Sequence, residues 1–160
     1  MPLSVKTIKA QLAILRPLLN SCSLETIRKG QNKIGEMMEF RHRNQVLVKE
    51  HAFSRFQGAW IMPKDERRQG VILYLHGGGY VYGGLDYAKG FGSTLAAQCG
   101  NRVFCAAYRL APEHRYPAAL EDALEAYQYL LSKGYTADHI TLCGESAGGG
   151  LCYSLCLKLR

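Results

Sequence analysis

The chain has 160 residues, of which 48% are hydrophobic and 10% aromatic, a composition that fits one globular domain and excludes a disordered chain. Its formal net charge is +7, and the excess of Lys and Arg, Arg28 among them, is scattered over the first 70 residues as ordinary surface charge. Without a dense basic patch or a known binding module, scattered cations argue against nucleic-acid binding.

The N-terminal segment and the cysteines bear on where the protein is found. Residues 1–20 are interrupted by charges and by Pro17, and no apolar run reaches membrane-spanning length. The sequence therefore predicts no secretory leader, no membrane partner and a cytoplasmic location. Six cysteines occur without a CxxC pair or a zinc-like spacing, which predicts reduced thiols that fill the core.

Two helices are predicted at the start of the chain. Apolar residues recur at helical spacing over residues 4–20 and, more weakly, over residues 24–39. We expect Met37, Met38 and Phe40, at the end of the second helix, to pack in the interior.

Strands follow. Strand-like alternation starts at Gln45 and returns in FQGAWIMP, residues 56–63, and the charged stretch KDERRQG, residues 64–70, is predicted to form a hairpin or a loop. Three short apolar runs come later, each typical of a strand buried on both faces. They are VILYL at 71–75, RVFCAAY at 102–108 and ITLCG at 140–144.

Helices are predicted between and after these runs. They cover about residues 87–99, a stretch that opens at Pro117, and residues 147–159. The middle one is expected to bury a stripe formed by Leu120, Leu124, Tyr127 and Leu131. Because strands and helices alternate, the sequence predicts an α/β fold with a parallel sheet covered by helices on both faces.

The stretch GESAG, residues 144–148, matches G-x-S-x-G between a predicted strand and a predicted helix. A nucleophilic serine in this context needs a strained turn that exposes its hydroxyl, and the two glycines remove side chains that would collide there. The turn also opens a helix, so the backbone N–H of Ala147 lacks an intrahelical acceptor and faces developing negative charge. The alternative is a glycine-rich turn with an incidental Ser146.

The stretch HGGG, residues 76–79, follows the first buried run directly. Consecutive glycines let the backbone approach a substrate and point N–H groups at a carbonyl oxygen, as the HGGG-type loop of lipases and esterases does. A phosphate-binding loop is the main competitor, but neither GxxxxGK[ST] nor GxGxxG occurs here. The two motifs together therefore predict acyl-transfer chemistry.

Three stretches together resemble the bacterial hormone-sensitive lipase family of α/β-hydrolases. They are HGGGYVYGG, YRLAPEHRYPAALEDA at 108–123, and GESAGG. The resemblance implies an α/β-hydrolase domain over residues 41–160, with a mostly parallel sheet and helices on both faces, and cap helices over residues 1–40. In the middle stretch, Arg109, Glu113 and Asp122 are expected to be structural polar partners.

The resemblance also implies roles for individual residues. Ser146 would be the nucleophile, and the N–H groups of Gly78, Gly79 and Ala147 would form the oxyanion hole. His76 and Gly77 would support the oxyanion loop. Independently of the resemblance, Tyr80 and Tyr82 are candidates for one wall of the substrate site, with packing under the loop as the alternative. The expected substrate is a small ester with a short acyl or acetyl group, and no metal or cofactor is expected.

The general base is the open question. In this fold the acid and the histidine of the triad follow the serine, but no Asp, Glu or His follows Ser146. Of the five upstream histidines, His139 is expected at the opposite end of the sheet, and His114 lies in the APEHRYP loop. We therefore expect the chain to be the N-terminal part of a longer hydrolase, ending after the helix that follows the nucleophile.

Several functions remain open at this point. The chain is expected to derive from a serine carboxylesterase or acetylesterase that here lacks the acid and the base of the triad. The alternative is an inactive fragment or a small-molecule-binding module of the same fold, against which the intact serine and glycine loop argue. A third hypothesis is a half-enzyme that a second chain completes. An amidase or a peptidase would use the same motifs. An apolar last helix and a bare strand at 140–144 also predict self-association through the sheet edge.

Overall fold

The computed structural model describes residues 22–160, together with Lys9 and Ala13. Apart from these two residues, the helix predicted over residues 4–20 lies outside the described part of the chain. The helices are α1 (Leu24–His42), α2 (Leu85–Cys99), α3 (Ala118–Ser132) and α4 (Ala147–Lys158). The strands are β1 (Val46–Ala52), β2 (Gln57–Pro63), β3 (Val71–Leu75), β4 (Arg102–Ala107) and β5 (Ile140–Gly144).

The strands form one sheet in the order β1-β2-β4-β3-β5. The strands β3, β4 and β5 are mutually parallel as predicted, whereas β2 is antiparallel to both β1 and β4. Four of the five strands therefore run in one direction. The burial predicted for the three runs holds for β3 and for most of β4, but it is wrong for β5, which lies at the edge of the described sheet and has no buried residue. Residues 64–70 form a loop and not a hairpin, because β4 lies between β2 and β3.

Helices cover both faces of the sheet, as predicted. On one face, the side chains of α3 and α4 pack on those of β3 and β4, with Leu73, Phe104 and Leu155 at the centre. On the other face, Ala88 and Ala96 of α2 pack on β2, β3 and β4, and α1 lies against α2. The expected α/β architecture, a mostly parallel sheet with helices on both faces, is confirmed, while the division into domains at residue 40 stays a prediction.

The buried stripe predicted for α3 is wrong at one position. Leu131 is 40% exposed, whereas its neighbour Leu130 is fully buried. The buried face is centred on alanines and on Asp122, and it includes Ala118, Ala123, Ala126 and Tyr127. Small side chains let the helix approach the sheet closely, so the buried face is not the one richest in large apolar residues.

The interior packing predicted for the end of α1 is wrong for Met37 and Phe40, while Met38 is half-buried. Met37 and Phe40 are 73% and 64% exposed. The helix begins at Ser23, whose Oγ accepts a hydrogen bond from the Thr26 N–H at 3.2 Å. Its buried residue is Gly35, which faces α2, so Met37 and Phe40 face solvent.

All six cysteines lie in the described part of the chain, and each is a free thiol. Cys105 is buried, but Cys99 and Cys156 are exposed, so the expected core role is wrong for these two. Within residues 22–160, no helix has both the length and the apolar character that a bilayer crossing requires.

Candidate active site

Ser146 lies on a strained turn between β5 and α4. Its backbone has φ 52° and ψ −120°, a region that L-residues rarely adopt, and its side chain is exposed. A side chain at Gly144 or at Gly148 would collide with the carbonyl of Leu75 at the end of β3. The two glycines therefore let the turn pack on β3, and the turn presents the Ser146 hydroxyl to solvent.

The glycine loop leaves β3 at the same edge of the sheet, since Leu75 is in register with Gly144. Gly78 has φ 111° and Gly79 has φ 61°, and a side chain at Gly78 would collide with the carbonyl of Tyr82. The Tyr82 N–H donates back to the Gly78 carbonyl at 2.8 Å, which closes the turn. Nearby, α4 begins at Ala147, whose N–H belongs to the first turn and has no intrahelical acceptor.

Glu145 joins the two motifs, a role that the sequence analysis missed. Its Oε1 accepts a hydrogen bond from the Gly77 N–H at 2.6 Å, and its Oε2 accepts one from the Tyr74 hydroxyl at 2.8 Å. The Tyr87 hydroxyl lies 3.4 Å from Oε1. One carboxylate therefore fixes the first glycine of the oxyanion loop to the residue that precedes Ser146.

His76 is a buried, neutral support of the loop. It has no exposed surface, its ring stacks on Tyr108 with the centroids 4.3 Å apart, and its carbonyl accepts a hydrogen bond from the Tyr108 hydroxyl at 2.5 Å. Since a carbonyl only accepts, the contact of Nδ1 with the Gly77 carbonyl at 2.7 Å places the ring proton on Nδ1. Burial lowers the pKa of His76, and its Nε2 has no partner in the described structure.

Arg28 corrects the interpretation of the basic residues. In the sequence it is predicted to be scattered surface charge, but its side chain is 25% exposed and bridges α1 to two loops. It donates to the Val81 carbonyl at 2.8 Å, to the Ala111 carbonyl at 2.9 Å and to both carboxylate oxygens of Glu113. The hydrogen bonds from Arg28 lower the pKa of Glu113 to about 2. Glu113 is thus a structural partner, as predicted.

Arg109 and Asp122 form the second predicted polar pair. Asp122 is fully buried at the start of α3, and it accepts from the Arg109 backbone N–H at 2.8 Å and from the guanidinium at 2.8–3.0 Å. Hydrogen bonding to Asp122 raises the pKa of Arg109. This pair fixes the exit of β4 against α3, which sets the path of the loop beside the glycine turn.

Tyr80 lines a cavity of about 350 Å³ between α3, α4 and the APEHRYP loop. Its backbone has φ 62°, and its carbonyl accepts from the Ala111 N–H at 2.8 Å. The walls are largely apolar, and they include Leu120, Leu151 and Tyr116. Tyr82 does not line this cavity. Contact of Tyr80 and Tyr82 with a substrate stays a prediction.

No base contacts the serine in the described structure. Within residues 22–160, no side chain makes a hydrogen bond with the Ser146 hydroxyl. His139 precedes β5 and bonds Thr136, so it lies at the opposite end of the strand from Ser146, as expected. His114 is exposed in its loop and lines the cavity beside Tyr80.

Known proteins match this arrangement. A family model described as an alpha/beta hydrolase fold matches residues 72–160. The versiconal hemiacetal acetate esterase of Aspergillus parasiticus is 41% identical over 151 residues, which cover 89% of this chain and 47% of that protein. The chain spans about a third to a half of the length of the curated relatives it matches.

Solved structures agree with the sequence relatives. The crystal structure of EstE5 soaked with p-nitrophenyl butyrate superimposes with a TM-score of 0.78 at 32% identity, covering 88% of this chain and 46% of that one. An esterase from the bacterial hormone-sensitive lipase family gives a TM-score of 0.67 at 31% identity, covering 86% and 52%. The family resemblance read from the three motifs is confirmed. The chain therefore belongs to the alpha/beta hydrolase family, among relatives that include esterases of the bacterial hormone-sensitive lipase family.

Proposed function

We propose that this chain supplies the nucleophile and the oxyanion hole of a carboxylic ester hydrolase that acts on short-chain acyl or acetyl esters. The observation that carries the proposal is the junction of two motifs. Ser146 sits on a positive-φ turn at the end of β5, and Glu145 holds the glycine loop directly beside it. The acetate esterase relative supports an ester as the substrate class.

The first chemical step would be attack of the Ser146 Oγ on the ester carbonyl carbon. Negative charge then develops on the carbonyl oxygen, and the N–H groups of Gly78, Gly79 and Ala147 would donate to it. Both glycines have positive φ, so the chain turns away from the extended conformation of β3 and the loop N–H groups are not committed to the sheet, which supports this role. Departure of the alcohol leaves an acyl-enzyme at Ser146, and water would release the acid.

Residues 22–160 bring no group to Ser146 that could transfer its proton. A triad histidine takes the serine proton and gives it to the alcohol, and an acidic residue orients that histidine. Since no histidine or carboxylate contacts the Ser146 hydroxyl in the described structure, we expect turnover by these 160 residues to be about 10⁴–10⁶-fold below that of a complete triad. The oxyanion hole and substrate binding would supply the remainder.

A binding module of the same fold is the second candidate. Two observations favour it, namely the apolar cavity beside Tyr80 and the lack of a base at Ser146 within residues 22–160. Completion by a second chain, self-association through β5 and a cytoplasmic location also stay predictions. The edge strand β5 pairs with β3 alone in the described part of the chain, which supports the idea of edge pairing.

The test is covalent labelling of the purified chain with a fluorophosphonate, read by intact mass, beside hydrolysis of p-nitrophenyl acetate. We expect one adduct per chain, lost in Ser146→Ala and kept in Ser154→Ala. Ser154 is a matched control because it lies on the same helix with its hydroxyl bound to the Gly150 carbonyl. Folded protein that forms no adduct would contradict the nucleophile and favour the binding module.

A further inference from the structure

A second cavity, of about 680 Å³, lies between the β1–β2 hairpin and the C-terminal end of α3. Arg102, the first residue of β4, lines it, and so do residues directly after α3. Ser146 follows the last residue of β5, which is parallel to β4 through β3. This cavity therefore lies at the opposite end of the sheet from the candidate active site.

We call this cavity the basic groove and define it by Lys49, His51, Trp60, Tyr129, Lys133 and Tyr135. Its walls are aromatic rings that hold one another in place. The Trp60 Nε1–H donates to the Tyr129 hydroxyl at 3.1 Å, and the Trp60 and Tyr135 rings are 6.1 Å apart at 27°. The His51 ring stacks on Tyr129 at 4.3 Å. Fixed ring faces suit a planar apolar ligand.

The charge of the basic groove is positive. Lys133 lies over the Tyr129 ring at 5.0 Å, and in the described structure neither Lys49 nor Lys133 has an acidic partner within 4.0 Å. The acidic lining residue, Glu50, is bound to Lys89 at 2.8 Å. Lys89 also contacts Glu39 and Asp86, so it does not neutralise Glu50 alone. However, Lys89 belongs to α2, which covers the opposite face of the sheet from α3, so the Glu50 carboxylate is directed away from the two groove lysines.

A titratable group in the wall responds to this positive charge. The pKa of His51 is lowered, first by burial and then by the charges of Lys133 and Lys49. A like charge disfavours the protonated ring, so the direction of this shift agrees with an excess of cations facing the cavity. Arg102, also at the rim, has its own partner in Glu66 at 2.9 Å.

We infer that the basic groove binds a small organic anion with a planar aromatic body, such as an aromatic carboxylate. The ammonium groups of Lys49 and Lys133 would pair with the anionic group, and the ring would lie against Trp60 and Tyr135. The volume falls within the range of pockets that enclose small organic ligands. A basic surface without rings would instead hold inorganic anions equally well.

Trp60 makes the inference directly measurable because it is the one tryptophan of the 160 residues. Benzoate is the probe, and benzamide is its neutral partner of the same shape. We expect a saturable change in Trp60 fluorescence and a matching calorimetric titration with benzoate, and weaker binding of benzamide. Lys49→Met and Lys133→Met should each weaken benzoate binding by about threefold, the effect of an exposed charge pair.

Two controls separate this site from general charge and from the candidate active site. Lys158→Met makes the same charge change on α4 and should leave benzoate binding unchanged, as should Ser146→Ala. Equal affinity for benzoate and benzamide, equal affinity for inorganic sulfate, or no effect of either groove lysine would overturn the inference. So would the absence of saturable binding to protein whose circular dichroism shows it to be folded.

Discussion

The carboxylate of Glu145 accepts the backbone N–H of Gly77 at 2.6 Å, across 68 residues of sequence. The same side chain accepts the Tyr74 hydroxyl, and burial raises the pKa of that tyrosine, so its hydroxyl stays protonated and remains a donor. We expect Glu145→Ala to free the glycine loop, since a buried N–H and a buried hydroxyl then lose their acceptor. Hydrogen bonds to charged groups of this kind contribute about 1.5–3 kcal/mol.

Hydrogen exchange measures this directly. In Glu145→Ala, amide exchange across residues 76–84 should accelerate more than exchange in β3, and the free energy of unfolding should fall. Glu145→Gln keeps one acceptor oxygen and should restore part of the protection. Unchanged exchange in the loop of the alanine variant would refute the role, whether or not Ser146 is labelled by a fluorophosphonate.

The turn at Ser146 stores backbone strain that glycine would relieve. At φ 52° and ψ −120°, a residue with a Cβ is strained and glycine is not. We expect Ser146→Gly to be more stable to urea than Ser146→Ala by about 1 kcal/mol, even though glycine loses more entropy on folding. Both variants lack the hydroxyl, so labelling is lost in both. A glycine variant less stable than the alanine variant contradicts a strained turn.

Removing Arg28 should loosen both loops that it bridges. Arg28→Met keeps the stem of the side chain but leaves the Val81 and Ala111 carbonyls without their donor. We expect a loss of about 1–3 kcal/mol in the free energy of unfolding. Glu113→Gln is the matched control, because it weakens the ion pair and leaves both carbonyl contacts. A larger loss in the glutamine variant would show that the exposed pair, and not the bridge, is the stabilising contact.

The ion pair between Arg109 and the buried Asp122 predicts very different losses of stability for two neighbouring substitutions in α3. Asp122→Asn removes the charge of a fully buried carboxylate and leaves the half-buried Arg109 guanidinium with the exposed Glu121 as its only remaining carboxylate partner in the described structure. We expect this to cost about 3 kcal/mol, the lower end for breaking a buried ion pair. Glu121→Gln, one residue earlier and exposed, should cost about 0.5 kcal/mol. Thermal unfolding of the two variants checks this prediction. Equal midpoints would mean that Asp122 is solvated in solution.

The buried His76 should make the free energy of unfolding fall in acid. Its pKa is lowered in the folded state from the ordinary value of 6.5, so below about pH 6.5 the unfolded chain binds a proton that the folded chain does not. Stability is therefore full above this pH and is lost as the pH falls, with a slope of up to about 1.4 kcal/mol per pH unit for one such group. Urea unfolding at a series of pH values measures the slope.

His51 has a lowered pKa too, so His51→Gln should remove part of the acid effect. The remaining loss near pH 6, above the range where the lowered pKa of Glu113 acts, is assigned to His76, and its imidazole nitrogens should keep their neutral-ring chemical shifts below pH 6.5. Protonation of His76 at or above pH 6.5, measured from the same nitrogen shifts, would contradict a ring that is buried away from water and stacked on Tyr108.

Buried strands were the most predictable part of the fold. The apolar runs that became β3 and β4 have no polar alternation, and both strands are largely buried, as expected where helices cover both faces of a sheet. The similar run of β5 lies at the edge of the described sheet and has no buried residue, a difference that the sequence pattern does not reveal. The buried face of α3 could not be found in the same way. It depends on Asp122, whose burial is possible because Arg109 neutralises it, and hydropathy alone ranks an aspartate as exposed.

The residues of the candidate site also fall into two groups: those that a local motif predicts, and those whose position depends on contacts distant in the sequence. Ser146, Gly78 and Gly79 were identified because their motifs are local and their conformations require glycine or a tight turn. Glu145 and Arg28 were missed because their partners lie 68 and 53 residues away in the sequence. The only local signal was a carboxylate inside the serine motif, between a strand end and a helix start.

The register of β3 with β5 has a consequence for how the molecule is made. The glycine loop and the serine turn are 70 residues apart, counted from His76 to Ser146, and they meet only when β5 inserts beside β3. At about 5–20 residues per second, the ribosome leaves the loop without its partner for roughly 4–14 seconds. During that interval the edge of β3 is open to other chains, so the two motifs that would activate a carbonyl are protected only after β5 has been made.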